Sequence, residues 1–128
     1  MTRARLSDVY RDYIACLNRQ DWAMLGWFVR DDIRYNGETI GLPGYRAMLE
    51  RDFRAIPDLQ FAITLLVCDP PRIASRLHFH CTPVGLLFGL AVNGRTVTFS
   101  ENVFYEFRDE RIVEVWSVID QAAIRAQI

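Results

Sequence analysis

A single carboxylate stands at the end of an apolar strand late in the chain. The run from Ile112 to Ile119 is mostly apolar and β-branched, and Asp120 ends it. Because side chains alternate between the two faces of a strand, Trp116 and Asp120 share one face. An aspartate is disfavoured in strands and seldom fully buried without a partner. Asp120 therefore has two interpretations: a pocket acid beside a floor formed by Trp116, or the cap of a helix starting at Gln121.

A second polar set lies on an earlier strand. Arg76, His78 and His80 alternate with apolar residues and so share a face. A guanidinium close to Asp120 would favour the ionised carboxylate, which suits a general base. Histidine is the side chain best suited to proton transfer near neutral pH, so His80 is a second catalytic candidate. No third ligand accompanies the two histidines, and we therefore expect no metal site.

The hydrophobic pattern predicts the elements that must position these residues. Apolar residues at helical spacing, with start and stop signals, predict helices at 6–20, 21–29 and 43–56. A short strand is expected at 33–36, and from Leu59 the period changes to two, which predicts strands at 59–68, 76–81, 96–107 and 112–120. Helices first and antiparallel strands second favour an α+β fold. A curved sheet covered by helices on one side would leave a hollow between the two layers.

Length and composition exclude several classes of protein. A chain of 128 residues, 51% of them hydrophobic, is expected to form a single domain over residues 1–128 with a proper core. The formal net charge of −1, without a basic stripe, gives no support to binding of nucleic acid or a membrane surface. No apolar run reaches the ~20 residues of a membrane span, and no signal core is present. Cys16, Cys68 and Cys81 are widely spaced, as expected of free thiols in a reducing cytoplasm.

The order of several short motifs carries a family resemblance. The motifs are Asn18-x-x-Asp21-Trp22, Ile56-Pro57-Asp58-Leu59, Arg76-Leu77-x-Phe79, Gly85 to Gly89, Asn93-Gly94-Arg95-x-Val97, and Ile112-Val113-Glu114-x-Trp116 followed by Asp120. Over nearly its whole length the chain resembles the SnoaL-like polyketide cyclase family of the NTF2-like superfamily. The resemblance implies an NTF2-like cone, in which three N-terminal helices pack on a strongly curved, mostly antiparallel sheet. It also implies a pocket that needs no cofactor and, usually, a homodimer.

The resemblance extends to activity, with departures. Characterised cyclases of the family close a carbon ring by an intramolecular aldol reaction and use an acidic side chain as acid and base. The family's aspartate near the end of the final strand matches Asp120. Thr82-Pro83-Val84-Gly85 stands where many relatives carry Thr-His-x-Gly, and Glu110 stands where relatives commonly have glycine. The histidine that characterised cyclases use on the penultimate strand is also missing, since none lies between Thr96 and Phe107.

The last hairpin leaves two registers open. A two-residue loop at Asp109-Glu110 would set Glu101 opposite Val118, on the face of Asp120. A three-residue loop with Glu110 in the left-handed conformation would set Asn102 opposite Trp116 and turn Glu101 outward. We expect the second register, because the relatives' glycine at the position of Glu110 favours it. Asn102 would then hold a substrate carbonyl or a water.

These observations favour a cofactor-independent acid/base enzyme that acts on a small hydrophobic carbonyl compound. The reaction would be an intramolecular aldol cyclisation or a related isomerisation, as in polyketide cyclases. The candidate catalytic residues are Asp120 and His80, and the candidate substrate-binding residues are Arg76, Asn102, Trp116, Tyr13 and Trp27. The alternative is a non-catalytic module that binds a hydrophobic small molecule in the same pocket. The missing family histidines favour that alternative.

A homodimer is also expected from the last strand itself. Val113, Val115 and Ile119 form a second apolar face, opposite the face of Trp116. A sheet that is apolar on both faces needs cover on both, and the helices can cover only one.

Overall fold

The computed structural model describes all 128 residues and confirms the α+β architecture. The first half contains α1 (Arg3–Arg19), a 3-10 helix η1 (Trp22–Trp27), β1 (Val29–Tyr35), β2 (Glu38–Thr39) and α2 (Gly41–Ala55). The second half contains β3 (Ala62–Asp69), β4 (Arg72–Cys81), β5 (Leu86–Leu87), β6 (Leu90–Ala91), β7 (Val97–Arg108), β8 (Arg111–Ile119) and α3 (Gln121–Arg125). None of the helices combines the length and the apolar character that crossing a lipid bilayer requires.

The two long helices follow from their sequence signals. The Thr2 hydroxyl accepts a hydrogen bond from the Arg5 backbone N–H at 3.1 Å and so caps α1. That helix ends at Gln20, whose φ of 54° is left-handed, as is common just after a helix. α2 carries Pro43 in its first turn, where a missing N–H costs nothing, and Pro57 follows its end. Both helices bury an apolar stripe against the sheet.

Six strands form one sheet in the order β2-β1-β8-β7-β4-β3. All neighbours pair antiparallel except β1 and β8, which are parallel. The pairing of β4 with β7 runs the whole length of β4, from Arg72 opposite Glu106 to Cys81 opposite Val97. β5 and β6 form a separate two-stranded hairpin. The long strands β4, β7 and β8 therefore line up the side chains of both faces in regular rows.

The inner face of the sheet is the face that α1 and α2 cover. The rings of Tyr10 on α1 and Tyr105 on β7 pack with their centroids 4.9 Å apart. The Tyr10 hydroxyl donates a hydrogen bond to the Ser75 hydroxyl of β4 at 2.8 Å. From Val97 to Phe107, every second residue of β7 points to this side and nearly all of them are buried. The opposite face, called the outer face below, has neither long helix over it.

A tight turn and a bulge set the register of the last hairpin. Asp109 and Glu110 both have positive φ, 53° and 61°, and Arg108 pairs with Arg111 across this two-residue turn. The register then shifts by one, because Val113 is an extra residue on β8. As a result Glu101 lies opposite Ile119, and Asn102 lies opposite Val118. Neither expected register is correct, since the turn has two residues and the bulge moves the pairing beyond it.

Candidate functional site

A cavity of about 180 Å³ lies between the inner face of the sheet and the helices. Seventeen of its nineteen lining residues are hydrophobic, and the other two are Asp52 and Glu101. No arginine, lysine or histidine lines it. Ligand sites are usually apolar cavities with a small number of polar groups, and this cavity has that composition. The two acids are therefore the groups around which any chemistry here must be arranged.

Glu101 is the acid of the sheet. It lies on β7 between the inward-facing residues Phe99 and Val103, and Ser117 of β8 donates a short hydrogen bond to its Oε2. Burial raises the pKa of Glu101, the bond from Ser117 opposes that shift, and the charge of Asp52 adds to it. A carboxyl group whose pKa is raised binds a proton more tightly than an ordinary carboxylate does, which suits proton transfer.

Asp52 is the acid of the helix layer. It lies in α2 and makes no side-chain hydrogen bond within the chain. Burial raises the pKa of Asp52 to about 6, and only Arg51 acts in the opposite direction. Both carboxyl groups line the same cavity, and the charge of Asp52 contributes to the raised pKa of Glu101. Perturbed acids that share one cavity mark a candidate functional site.

Asn36 fixes the part of β8 from which Ser117 reaches Glu101. Its side-chain oxygen accepts a hydrogen bond from the Ser117 N–H at 2.8 Å, and its side-chain nitrogen donates to the Ser117 carbonyl at 3.3 Å. Its own N–H donates to the Val115 carbonyl at 2.9 Å. Asn36 sits in a turn with a φ of 48°, which asparagine tolerates better than most residues. The turn thus holds Ser117, and Ser117 holds the carboxylate.

Two tyrosines from the helices complete the polar part of the cavity. The Tyr13 hydroxyl of α1 and the Tyr45 hydroxyl of α2 are 2.6 Å apart, and both side chains are buried. Both residues line the cavity. Desolvation raises the pKa of each phenol, so both hydroxyls stay protonated at neutral pH. The pair supplies neutral hydrogen-bonding groups on the wall formed by the helices.

The β5–β6 hairpin closes one side of the cavity with Phe88. The Phe88 ring meets the Phe99 ring nearly at right angles, with centroids 6.5 Å apart. Phe88 is 41% exposed, so the same side chain borders the cavity and the solvent. Its φ of 50° is unusual for a bulky residue. The adjoining loop is held by two backbone bonds of 2.8 Å, Asn93 N–H to the Gly85 carbonyl and Gly94 N–H to the Pro83 carbonyl.

Asp120 and Trp116 do not border this cavity, and the expectation that they would face the hollow is wrong. Asp120 is exposed and caps α3, where its carboxylate accepts a hydrogen bond from the Ala123 N–H at 3.1 Å. Trp116 is 39% exposed on the outer face. The physical reason is that α1 and α2 cover the other face of β8, the one that carries Val115, Ser117 and Ile119. The capping interpretation of Asp120 is the one the geometry fits.

The remaining predicted site residues are divided between the two faces. Tyr13 lines the cavity. Arg76 and Asn102 are brought together with Asp120, but around a shallow depression of the outer face. His80 is exposed on that same face, because β4 turns its odd-numbered residues inward. Trp27 is 70% exposed, at the end of η1 and away from the cavity. The predicted polar cluster therefore exists, but on the face opposite the cavity.

The two acids of the cavity, neither of which was among the predicted site residues, each interrupt an apolar repeat. Glu101 occupies the third position of an alternating series whose other members are Val97, Phe99, Val103, Tyr105 and Phe107. Asp52 occupies the apolar stripe of α2 with Tyr45, Met48, Leu49 and Ile56, at helical spacing. A charged residue in a buried stripe is rare without a function or a partner. That signal was present in the sequence and could have identified both residues.

Comparisons with known proteins agree with this architecture. The sequence model of the SnoaL-like polyketide cyclase family matches residues 7–128. A SnoaL-like polyketide cyclase from Agrobacterium tumefaciens is 48% identical, with a TM-score of 0.95 over 99% of this chain and 98% of that chain. No curated protein matches the sequence significantly.

More distant structures share the fold. AclR from Streptomyces galilaeus, provisionally described as a hydroxylase, is 22% identical with a TM-score of 0.81, over 98% of this chain and 96% of that one. IdmH from Streptomyces antibioticus, provisionally described as a polyketide cyclase, is 20% identical with a TM-score of 0.83, over 95% and 96% of the two chains. The family match over nearly the whole chain, together with the relative at 48% identity, establishes that the chain belongs to the SnoaL-like polyketide cyclase family.

Proposed function

We propose that this chain, acting as one domain, is a cofactor-independent acid/base enzyme for a small hydrophobic carbonyl compound. The observation that carries the proposal is the pair of acids with raised pKa, Asp52 and Glu101, in a cavity otherwise lined by hydrophobic residues. An apolar cavity excludes water and strengthens the interactions of the few polar groups inside it. Membership of the SnoaL-like family supports a carbonyl substrate and a ring-closing reaction.

The proposed step is proton abstraction next to a carbonyl group. The Glu101 carboxylate takes a proton from the carbon beside the carbonyl, the C–H bond breaks, and its electron pair passes into an enolate. The enolate carbon then attacks a second carbonyl of the same molecule and closes a ring, or the proton returns to a different atom and a double bond shifts. In both cases Glu101 gives the proton back, so the enzyme is unchanged. Acid/base help of this kind contributes roughly 10²–10⁴-fold in rate.

Two features of the chain restrict the mechanism to an enolate. The sequence contains no lysine, so no lysine side chain is available to form a Schiff base with the carbonyl. The cavity contains no cationic side chain, so the negative charge must be met by hydrogen bonds from neutral groups. Asp52, with a pKa of about 6, is the second carboxyl group in the cavity that can take up or release a proton. Asp52 therefore takes the place that the sequence analysis assigned to His80.

Exchange of carbon-bound hydrogen for deuterium tests the proposed step directly. 2-Tetralone is a small bicyclic ketone with acidic hydrogens beside its carbonyl, and their exchange in heavy water can be followed by NMR. We expect the protein to accelerate exchange and Glu101→Gln to reduce the acceleration roughly 10²–10⁴-fold. Glu106→Gln is the matched control, because Glu106 lies on the same strand but pairs with Arg72 at 2.9 Å on the outer face. It should exchange at the wild-type rate.

Two outcomes would overturn the proposal. If Glu101→Gln accelerates exchange as well as the wild type does, Glu101 is not the base. If 2-tetralone binds the wild type but exchanges no faster than in buffer, the cavity is a binding site for hydrophobic ligands without catalysis. That second outcome would favour the alternative of a non-catalytic binding module.

We also propose that the chain forms a homodimer through the outer face of its sheet. Of the three residues that suggested the dimer, Val115 and Ile119 line the cavity on the inner face, and Val113 is the buried extra residue of the bulge. The face that lacks cover instead carries exposed Phe104, Trp116 and Val118 of β7 and β8, and Leu65 and Val67 of β3. Contiguous exposed apolar surface of this kind usually marks an interface.

The three cysteines are free thiols, and a reducing cytoplasm remains the expected compartment.

A further inference from the structure

We propose that the hydroxyl pair Tyr13–Tyr45 donates the hydrogen bond that holds the ligand's carbonyl oxygen and stabilises the enolate formed on it. The inference rests on the proposed function, because it assigns a second role in the same cavity. It does not rest on any group outside the cavity. The donor comes from the helices, whereas the base, Glu101, comes from the sheet.

The number of hydroxyl protons in the pair supports this role. Two phenols carry two hydroxyl protons, and the 2.6 Å contact between them uses one. Neither hydroxyl has another side-chain partner in the chain. One proton is therefore left over, and both residues border the cavity. A buried donor without a partner is costly, and a ligand oxygen in the cavity would satisfy it.

The pair and the base, Glu101, line the same cavity. The charge of Glu101 also contributes to the raised pKa of both Tyr13 and Tyr45. A small ketone whose carbonyl is bound at the tyrosines would have its neighbouring carbon in the same cavity as Glu101. The electron pair released from the C–H bond then collects on an oxygen that already accepts a hydrogen bond. The tyrosine keeps its proton throughout, so the two residues have separate tasks.

Packing holds the donor in place before a ligand arrives. The Tyr13 ring meets the Tyr105 ring at 75° with centroids 6.1 Å apart, and the Tyr45 ring lies 6.4 Å from that of Tyr35. Tyr13 and Tyr45 are only 1% and 3% exposed. Fixed donors in a water-excluded site stabilise developing charge without reorganisation. The hydroxyl that donates to the ligand is further polarised by the hydrogen bond it accepts from its partner.

The infrared carbonyl band of bound 2-tetralone, labelled with ¹³C at the carbonyl, reports this hydrogen bond directly. We expect the carbonyl band of 2-tetralone bound to the wild type to lie at a lower frequency than the band of 2-tetralone in a hydrocarbon solvent. In Tyr13→Phe/Tyr45→Phe that displacement should be lost and Glu101-dependent exchange should fall by about 10²–10³-fold. The double variant should fold, because replacing both partners of a buried hydrogen bond by groups of the same shape is nearly neutral. Its melting temperature checks this.

The single variants and a control sharpen the result. A single variant, Tyr13→Phe or Tyr45→Phe, that loses the shifted band has lost the donating hydroxyl, so the two variants together identify the donor. Tyr10→Phe is the control, since its hydroxyl bonds Ser75 and Tyr105 and it does not line the cavity. The shifted band should persist in that variant.

The two readouts separate this inference from the proposed function. A double variant whose carbonyl band equals that of the wild type overturns the inference, even if exchange still depends on Glu101. A wild-type complex with no shifted band overturns it as well. A band that shifts only when the tyrosines are present, without any acceleration of exchange, supports the inference and overturns the proposed function instead.

Discussion

At the scale of single residues, the site depends on two carboxyl groups held where water is scarce. Asp52 makes no side-chain hydrogen bond within the chain, and Glu101 has Ser117 as its partner. Burial raises the pKa of both, since desolvation disfavours the charged form. A protein keeps such groups at a cost in stability when they serve a function. The pH dependence of stability therefore measures that cost.

Asp52→Asn should stabilise the protein at neutral pH but not in acid. The folded-state pKa of Asp52 is about 6, above the unfolded value near 3.9, so the folded state binds the proton more tightly. The stability that this proton provides is fully present below about pH 4 and is lost as the pH rises through 6. Urea denaturation should show that the free energy of unfolding of Asp52→Asn, relative to the wild type, rises by on the order of 2 kcal/mol between pH 4 and pH 8.

The control for this measurement is Asp31→Asn, which removes one exposed charge that makes no side-chain hydrogen bond. The difference between that variant and the wild type should not follow the same pH window. A constant difference between Asp52→Asn and the wild type from pH 4 to 8 would contradict the burial of an ionising Asp52.

At the scale of elements, Asp120 lies at the junction between β8 and α3, where its carboxylate has a structural role and not a catalytic one. Asp120 accepts the Ala123 N–H at 3.1 Å, and Ile124 is fully buried. Gln127, just beyond α3, donates to the Thr98 carbonyl of β7 at 2.6 Å. The short helix is thereby attached to the sheet at both ends, and its cap contributes to the stability of that attachment.

Asp120→Ala should lower the free energy of unfolding by about 1 kcal/mol, the usual effect of losing an N-cap. Asp120→Asn should be close to the wild type, because asparagine caps a helix as well as aspartate does. Neither variant should change the exchange rate of 2-tetralone, since Asp120 does not border the cavity. Thermal melts and the NMR exchange assay together check the prediction. A stable Asp120→Asn variant with slow exchange would return Asp120 to the mechanism.

At the scale of the whole molecule, the residues of the outer face lie in rows across the strands, one row apolar and the next charged. Val67, Ala74, Phe104 and Trp116 lie opposite one another across four strands and form an apolar row. The next row is charged, with Arg72 bonded to Glu106 and Arg34 bonded to Glu114, each at 2.9 Å. An apolar centre beside a polar border is typical of protein interfaces. A two-fold axis through the row would bring each copy's apolar strip onto the other.

Sedimentation equilibrium at micromolar concentration should give twice the mass of the chain. Phe104→Arg should shift the protein to a monomer, because it places an unpaired charge in the middle of the apolar row. Trp27→Arg is the matched control, since Trp27 is 70% exposed but lies on η1, away from the outer face. It should remain dimeric. A wild type that sediments as a monomer would refute the dimer.

The sequence by itself determined the order of the elements, the α+β class and the family. Those features follow from local information: helical spacing in Leu6 to Leu17, alternation in β7, and turn residues such as Asn93-Gly94. The alternation around Glu101 also contained the clue to a buried acid. A family resemblance depends on the same local motifs, and it was confirmed.

Only the tertiary structure decided which face of the last strands borders the cavity. Both faces of β8 carry apolar residues, so the pattern in the sequence could not choose between Trp116 and Val115. The choice came from where α1 and α2 pack, and the pairing of Glu101 with Ile119 came from the bulge at Val113. In a strand of period two, a shift of one residue exchanges the faces. That is why the sequence identified Asp120, whereas the fold brought Asp52, Glu101 and the pair Tyr13–Tyr45 into one cavity.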